Sequence, residues 1–245
     1  MQPLKLTWTV VEMGEPAHPI HLDALVSYAM SRDEIRRGRA KPEMTERELS
    51  DSLVLPLERA KRVRAWCWKA SVLIPDQVWA TGMRLWTRKV DPVSITNEVR
   101  QGSVELGDRA YLQENHGAER SRATLKPYAG KIDTVRGELK QYYKFVPTRN
   151  VSALTAWCVG DEDALTHLLD PHTGYITHIG PRIRLGLGRV LSFSIVPDES
   201  AATRWQLRAS PWAYDNAVEM PLAVHPPYWA PENQVKAWID PALFG

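Results

Sequence analysis

Ile179-Gly180-Pro181-Arg182-Ile183-Arg184-Leu185-Gly186-Leu187-Gly188-Arg189-Val190 is the stretch from which the rest of the chain can be read. It places three glycines and three arginines within ten residues. A β-rich run, Val190-Leu191-Ser192-Phe193-Ser194-Ile195-Val196, follows at once. Glycine permits positive φ and lets another backbone approach closely. Arginine carries a rigid fork of donors that matches phosphate oxygens. One reading is a cradle for a phosphate chain that leads into a strand. The other is a tight turn with a solvated arginine face.

Two better-known glycine motifs do not fit. A dinucleotide fingerprint needs Gly-x-Gly-x-x-Gly between a strand and a helix. Here the spacing is Gly-x5-Gly-x-Gly, and a strand follows. A phosphate-binding P-loop needs Gly-Lys-Ser/Thr, which the chain lacks.

The 245 residues suffice for one large domain or two small ones, and 44% hydrophobic content supports a real core. A net charge of +2 excludes a polycation, so any anion site must come from local clustering of arginine. Cys67 and Cys158 lie in apolar runs and read as reduced core residues, and no metal-ligand spacing or cofactor motif is present. Met1-Gln2-Pro3 does not begin a basic leader, and no apolar run nears about 18 residues. The expectation is a soluble, cytoplasmic protein with no membrane partner. Ten tryptophans are many for this length and are assigned mostly to the core.

Leu4 to Val11 alternates as a half-buried strand, closed by Gly14-Glu15-Pro16. His18 to Met30 reads as a helix, with Leu22, Leu25, Val26 and Ala29 at helical spacing. His21 at its start is either a surface or capping residue, or a group for RNA contact or acid–base work. Arg32 to Lys41, with Arg36, Arg37 and Arg39, reads as an exposed basic excursion, either solvated or phosphate-contacting. Arg64–Ile74 and Trp79–Val90 read as neighbouring strands joined by the Pro75-Asp76-Gln77 turn. Residues 91–137 read as an insertion, a projecting hairpin or mobile loop. Glu138–Val146 resumes as strand until Pro147 breaks it. Val151–Val159 is an apolar strand, Asp161 caps a short helix over 162–169, and the glycine stretch follows. Trp205–Arg208 is a candidate short strand. Residues 201–245 are proline-rich and are expected to form an irregular extension over the domain or a partner.

This order predicts an α+β fold, a ferredoxin-like (RRM-like) core over 1–200 with the insertion at about 91–137 and the extension at 201–245. The glycine loop then falls between the second core helix and the last core strand. That loop, together with His18-Pro19-Ile20-His21-Leu22-Asp23-Ala24-Leu25, Val146-Pro147-Thr148-Arg149 and Pro226-Pro227-Tyr228-Trp229, resembles the CRISPR-associated RAMP superfamily. Within it, the likeness is to the type IV effector subunit equivalent to the crRNA 5′-handle-binding cap. The matched segments cover roughly a third of the chain.

The resemblance implies a non-catalytic subunit of a type IV-like effector complex that binds the crRNA 5′ handle. Its partners would be the backbone subunit, the large or small subunits, and target DNA. RNA-binding residues on this reading are Gly180, Arg182, Arg184, Gly186, Gly188, Arg189, His21, Arg36, Arg37, Arg39, Arg84 and Trp86. Tyr142 and Tyr143 are further candidates for stacking unstacked bases, with core burial as their alternative. The alternative function is a metal-independent CRISPR repeat endoribonuclease of the same superfamily, using His21. A third reading is an RNA-recognition-like module unrelated to CRISPR.

Overall fold

The computed structural model describes residues 1–39, 44–63, 65–88 and 141–244. The insertion expected at 91–137 lies outside these residues. The chain divides into two compact units, one of residues 1–82 and 147–245, the other Met83–Val146.

The first unit is built on β1 (Gln2–Val10). Leu4, Leu6, Trp8 and Val10 are buried, while Lys5, Thr7 and Thr9 point to the opposite face. The alternation leaves β1 fit only for a sheet with one face on the core. β8 (Ala153–Gly160) pairs with one edge of β1 and β9 (Val190–Pro197) with the other, both antiparallel. The short β5 (Ile74–Pro75) pairs with the far edge of β8. The sheet order is β5-β8-β1-β9. Helix α1 (Leu22–Arg36) follows β1, and α3 (Glu162–Leu169) follows β8. Leu22, Val26 and Ala29 of α1 and Leu165, Leu168 and Leu169 of α3 share one core with Leu4, Leu6 and Trp8. The Asp161 carboxylate caps α3 by accepting the Ala164 N–H at 2.9 Å. Counting only these elements, the chain runs strand, helix, strand, strand, helix, strand. The sheet order is second, third, first, fourth, all antiparallel. That is compatible with a ferredoxin-like core.

Other elements surround it. Between α1 and β5 lie α2 (Glu46–Ser52), with a Thr45/Glu48 capping box, and the hairpin of β3 (Arg59–Arg62) and β4 (Ala65–Trp68). β2 (Glu12–Gly14), β7 (Tyr142–Val151) and β6 (Val78–Arg88) form a sheet in the order β2-β7-β6. Cys67 and Cys158 are free and fully buried, and desolvation pushes the Cys158 thiol up to about 12.

Several expectations are corrected. The segments on either side of Pro75-Asp76-Gln77 are not sheet neighbours: β4 pairs with β3, and β6 with β7. Trp79, expected in the core, is 64% exposed, and Trp86, Tyr142 and Tyr143 are exposed as well. Their alternation is real, but β6 and β7 form a ribbon with both faces accessible there. The basic excursion begins as helix, because α1 continues to Arg36. Pro147 does not end β7, which runs on to Val151, and its carbonyl still accepts the Glu15 N–H at 3.0 Å. Residues 201–245 are not simply irregular. They carry α4 (Ala201–Arg204) and a hairpin of β10 (Val218–Ala223) and β11 (Gln234–Ile239), and Trp205–Arg208 forms turns rather than a strand.

A buried polar cluster ties this C-terminal part to α1. Arg208 is fully buried and donates to the carbonyls of Trp68, Ala70, Ala209 and Val224, to Asp23 Oδ2 at 3.2 Å and to the Tyr228 hydroxyl at 2.8 Å. Tyr228 in turn donates to Asp23 Oδ1 at 2.9 Å. Burial works against the Arg208 charge, but Asp23, Tyr228 and Cys67 together outweigh it and hold the pKa above its ordinary value. His21 stacks on Tyr228 with ring centroids 4.4 Å apart.

Removing one partner from such a cluster strands the other charge in the core. Arg208→Met should therefore destabilise the chain by about 3–5 kcal/mol in chemical denaturation. His21 gives a pH signature. Burial first, then the Arg208 charge, hold its pKa well below the ordinary 6.5. The folded protein keeps it neutral, whereas the unfolded chain takes up a proton as pH falls through about 6.5. Stability should be insensitive to this group above that pH and be lost below it. His21→Phe keeps a stacking ring and should flatten the fall in denaturation midpoint between neutral and mildly acidic pH.

Candidate nucleic-acid interface

The glycine stretch is held at its base and open at its tip. Ile179 and Leu187 are buried and pin its two limbs. The Ile179 N–H donates to the Gly188 carbonyl at 2.8 Å, and the Val190 N–H to the Thr177 carbonyl at 3.0 Å. The Gly188 N–H reaches the Glu12 carbonyl of β2 at 2.7 Å. Gly188 is required there, since a Cβ would lie 1.8 Å from the Ile179 carbonyl oxygen. Its φ of +73° is also left-handed.

Between these limbs the chain turns through a short 3₁₀ segment, Ile183–Leu185, flanked by two left-handed residues, Arg182 at φ 64° and Gly186 at φ 78°. Arg182 holds a conformation that costs an L-residue about 1–2 kcal/mol. Leu185 N–H bonds the Arg182 carbonyl at 2.8 Å, and Gly186 N–H bonds the Ile183 carbonyl at 2.9 Å. Arg182, Ile183, Arg184, Gly186 and Arg189 are exposed. A Cβ on Gly186 would meet nothing within 4 Å. Among the described residues, no carboxylate pairs with Arg182, Arg184 or Arg189.

The other arginine candidates differ. Arg37 pairs with Asp33 at 2.9 Å and Arg39 with Glu34 at 3.3 Å, so each already faces a carboxylate. Arg36 reaches the Thr173 carbonyl at 3.4 Å and lies 5.8 Å from the Tyr175 ring centre, beside the segment that leads into the loop. The Tyr175 hydroxyl donates to Asp33 at 2.7 Å, fastening that segment to α1. Burial holds Asp33 up, but Tyr175, Arg37 and His167 outweigh it and bring its pKa below the ordinary value. Arg84 and Trp86 belong to the second unit, as do Tyr142 and Tyr143.

His21 occupies the N-cap position of α1, without a side-chain cap bond, but it does not reach a surface as RNA contact or acid–base work would require. It is 7% exposed beneath Tyr228, and its Nδ1 finds no hydrogen-bond partner among the described residues. The sequence showed a histidine at a helix start, which is its position, but its cover comes from residue 228.

The sequence reading missed the support under the loop. In the sequence, Gly14 reads only as a strand terminator. A Cβ there would sit 2.7 Å from the Pro181 carbonyl oxygen, so β2 and the loop touch backbone to backbone. Met13 packs under Gly180 and also lines an apolar pocket with His18, Ile20, Leu73, Arg149 and Phe244. Arg149, held to Glu15 at 2.6 Å, closes one side. Only the glycine at 14 hinted at this contact, and a terminating Gly-Glu-Pro was the simpler explanation.

The sheet face opposite the helices carries Thr7, Thr9, Thr155, Ser192 and Ser194, as the register places them. Trp157 on that face is buried, with the Arg204 guanidinium 3.6 Å from its ring centre. No described helix is long and apolar enough to cross a membrane.

The family model of the CRISPR type IV associated protein Csf3 matches residues 2–240. No curated protein gives a significant match. With nearly all of its length covered by that match, the chain belongs to the Csf3 family, RAMP-like subunits associated with type IV CRISPR systems.

Proposed function

We propose that this chain is the crRNA 5′-handle-binding subunit of a type IV effector complex, and that it caps the backbone near where target DNA is engaged. The supporting observation is the loop tip: a side-chain-poor backbone turn beside three arginines that no described carboxylate neutralises. Such a tip offers main-chain and guanidinium donors to a splayed ribose-phosphate strand. The partners of this reading are the crRNA, the backbone subunit and a large or small subunit, with DNA in reach of the assembled particle.

The endoribonuclease reading has lost its named group. A general acid or base must approach the 2′-hydroxyl or the leaving oxygen, and His21 lies under Tyr228 with its basicity depressed. The RNA-recognition-like alternative needs exposed aromatics on the central strands. The corresponding face here presents threonine and serine, and its tryptophan is covered.

The experiment is a titration of labelled handle RNA across salt, with scrambled RNA as competitor. Handle RNA should win the competition, and equal competition would remove the handle assignment. Each phosphate contact on a single strand contributes about 0.7 to the slope of log K against log salt. Arg182→Ala with Arg184→Ala should therefore lower that slope by roughly 1.4, and an unchanged slope would place the RNA elsewhere. The glycines should separate. Gly186→Ala should leave the fold in place, at a cost near 1 kcal/mol for its positive φ, while weakening RNA binding. Gly188→Ala should damage folding itself, seen as a lowered melting temperature without RNA.

A further inference from the structure

The β3–β4 hairpin carries a second set of cations, away from the glycine loop but within the same unit. Leu57, just before β3, bridges Gly160 at the end of β8, and Gly160 faces Gln2 at the start of β1. The glycine loop leads into Val190, which faces Val10 at the other end of β1. β1 is nine residues long, so those two ends stand roughly 27 Å apart.

Arg59, Lys61 and Arg62 of β3 are all exposed. The register sets Arg59 opposite Trp68 and Lys61 opposite Trp66, so these four share one face of the hairpin, and Arg62 lies on the other. The Arg59 guanidinium lies 4.6 Å from the Trp66 ring centre and 4.5 Å from that of Trp68. His225 stacks on Trp66 at 4.8 Å, with the ring planes 3° apart. The Arg62 guanidinium lies 5.0 Å from the Trp212 ring centre. Among the described residues, no carboxylate pairs with Arg59, Lys61 or Arg62; the neighbouring Glu58 is taken by Lys69.

A ring contact fixes where a guanidinium sits without occupying its N–H groups. A carboxylate partner would cancel the charge, and an indole does not. The hairpin therefore holds its arginines in place with both charge and donors left for an outside acceptor.

The same contacts select the acceptor. Unpaired bases bind by stacking on open aromatic faces. Here Trp68 is buried, and Trp66 and Trp212 are already engaged by Arg59, His225 and Arg62. A protein interface needs an apolar centre, and Val63 is the one large apolar side chain exposed on the described part of the hairpin. What faces outward is cation, which suits phosphates whose bases stay stacked in a duplex.

We propose that the β3–β4 hairpin is a second nucleic-acid contact, which grips the phosphate backbone of duplex DNA without reading its sequence. It uses no residue of the glycine loop, so it stands apart from the handle reading.

The test is fluorescence anisotropy of a labelled random-sequence DNA duplex, titrated with the full chain across salt, with a single strand of equal length for comparison. The wild type should prefer the duplex. Each duplex phosphate contact contributes about 0.9 to the slope of log K against log salt. Arg59→Gln with Lys61→Gln and Arg62→Gln should lower that slope by roughly 2.7, while Arg182→Ala with Arg184→Ala should leave it as it was. A melting curve checks the fold of the triple variant. Lys61 forms no ion pair with a described residue, so Lys61→Gln alone, with an expected fall of about 0.9, decides the matter if the triple variant is damaged. An unchanged slope in these hairpin variants would leave the surface to an acidic protein and overturns the proposal. So does a wild type that ignores the duplex or prefers the single strand, or a loop variant that loses as much as the hairpin variant.

Discussion

The contact on which the candidate interface depends is the approach of two backbones at Gly188 and Ile179. The Ile179 carbonyl oxygen stands where the Cβ of any other residue would have to be: a Cβ at 188 would lie 1.8 Å from it. That closeness permits the Ile179–Gly188 hydrogen bond at the loop's base and lets Gly188 reach Glu12 of β2. The loop's geometry is then set by β2 and the buried limbs, and the tip need not pack on anything. Arg182, Arg184 and Gly186 stay in solvent because the base, not the tip, carries the structure.

A second constraint lies deep in the same unit. Arg208 joins α1, the segment after β4 and the C-terminal part through one guanidinium. A charge with no access to water needs a full set of acceptors. The surrounding carbonyls, Asp23 and Tyr228 supply it, so the proline-rich C-terminal region cannot lift away without exposing an unpaired ion. This explains why His21 is buried. Tyr228 is placed by Arg208 and Asp23, and its ring lies over the histidine.

The two kinds of arginine in this protein separate on the same physics. Arg37 and Arg39, just past the end of α1, sit within reach of carboxylates in its last turn, and their charge is locally balanced. The loop arginines have no such neighbours among the described residues. Since the chain's net charge is only +2, this local imbalance, rather than overall basicity, is what an anionic strand would sense.

What could be read directly was whatever short-range pattern determines. The alternation of Leu4, Leu6, Trp8 and Val10, the Asp161 cap with Leu165, Leu168 and Leu169, and the glycines before Val190 each report a local backbone state, and each element formed where its pattern stood. Their order along the chain was enough to suggest a ferredoxin-like plan. The pairing of β4 with β3, the exposure of Trp79 and Trp86, and the helix and hairpin after residue 200 were not legible, because alternation shows a strand without naming its neighbour or its cover. Likewise, equal glycines at 186 and 188 became unequal only when Ile179 came against one of them. By itself the sequence determined the strands and helices of the core, such as β1, α3 and β9, since those depend on residues a few positions apart. Only the tertiary structure decided which side chains are reachable, because burial of His21 depends on Tyr228 and freedom of Arg182 depends on what fails to come near it.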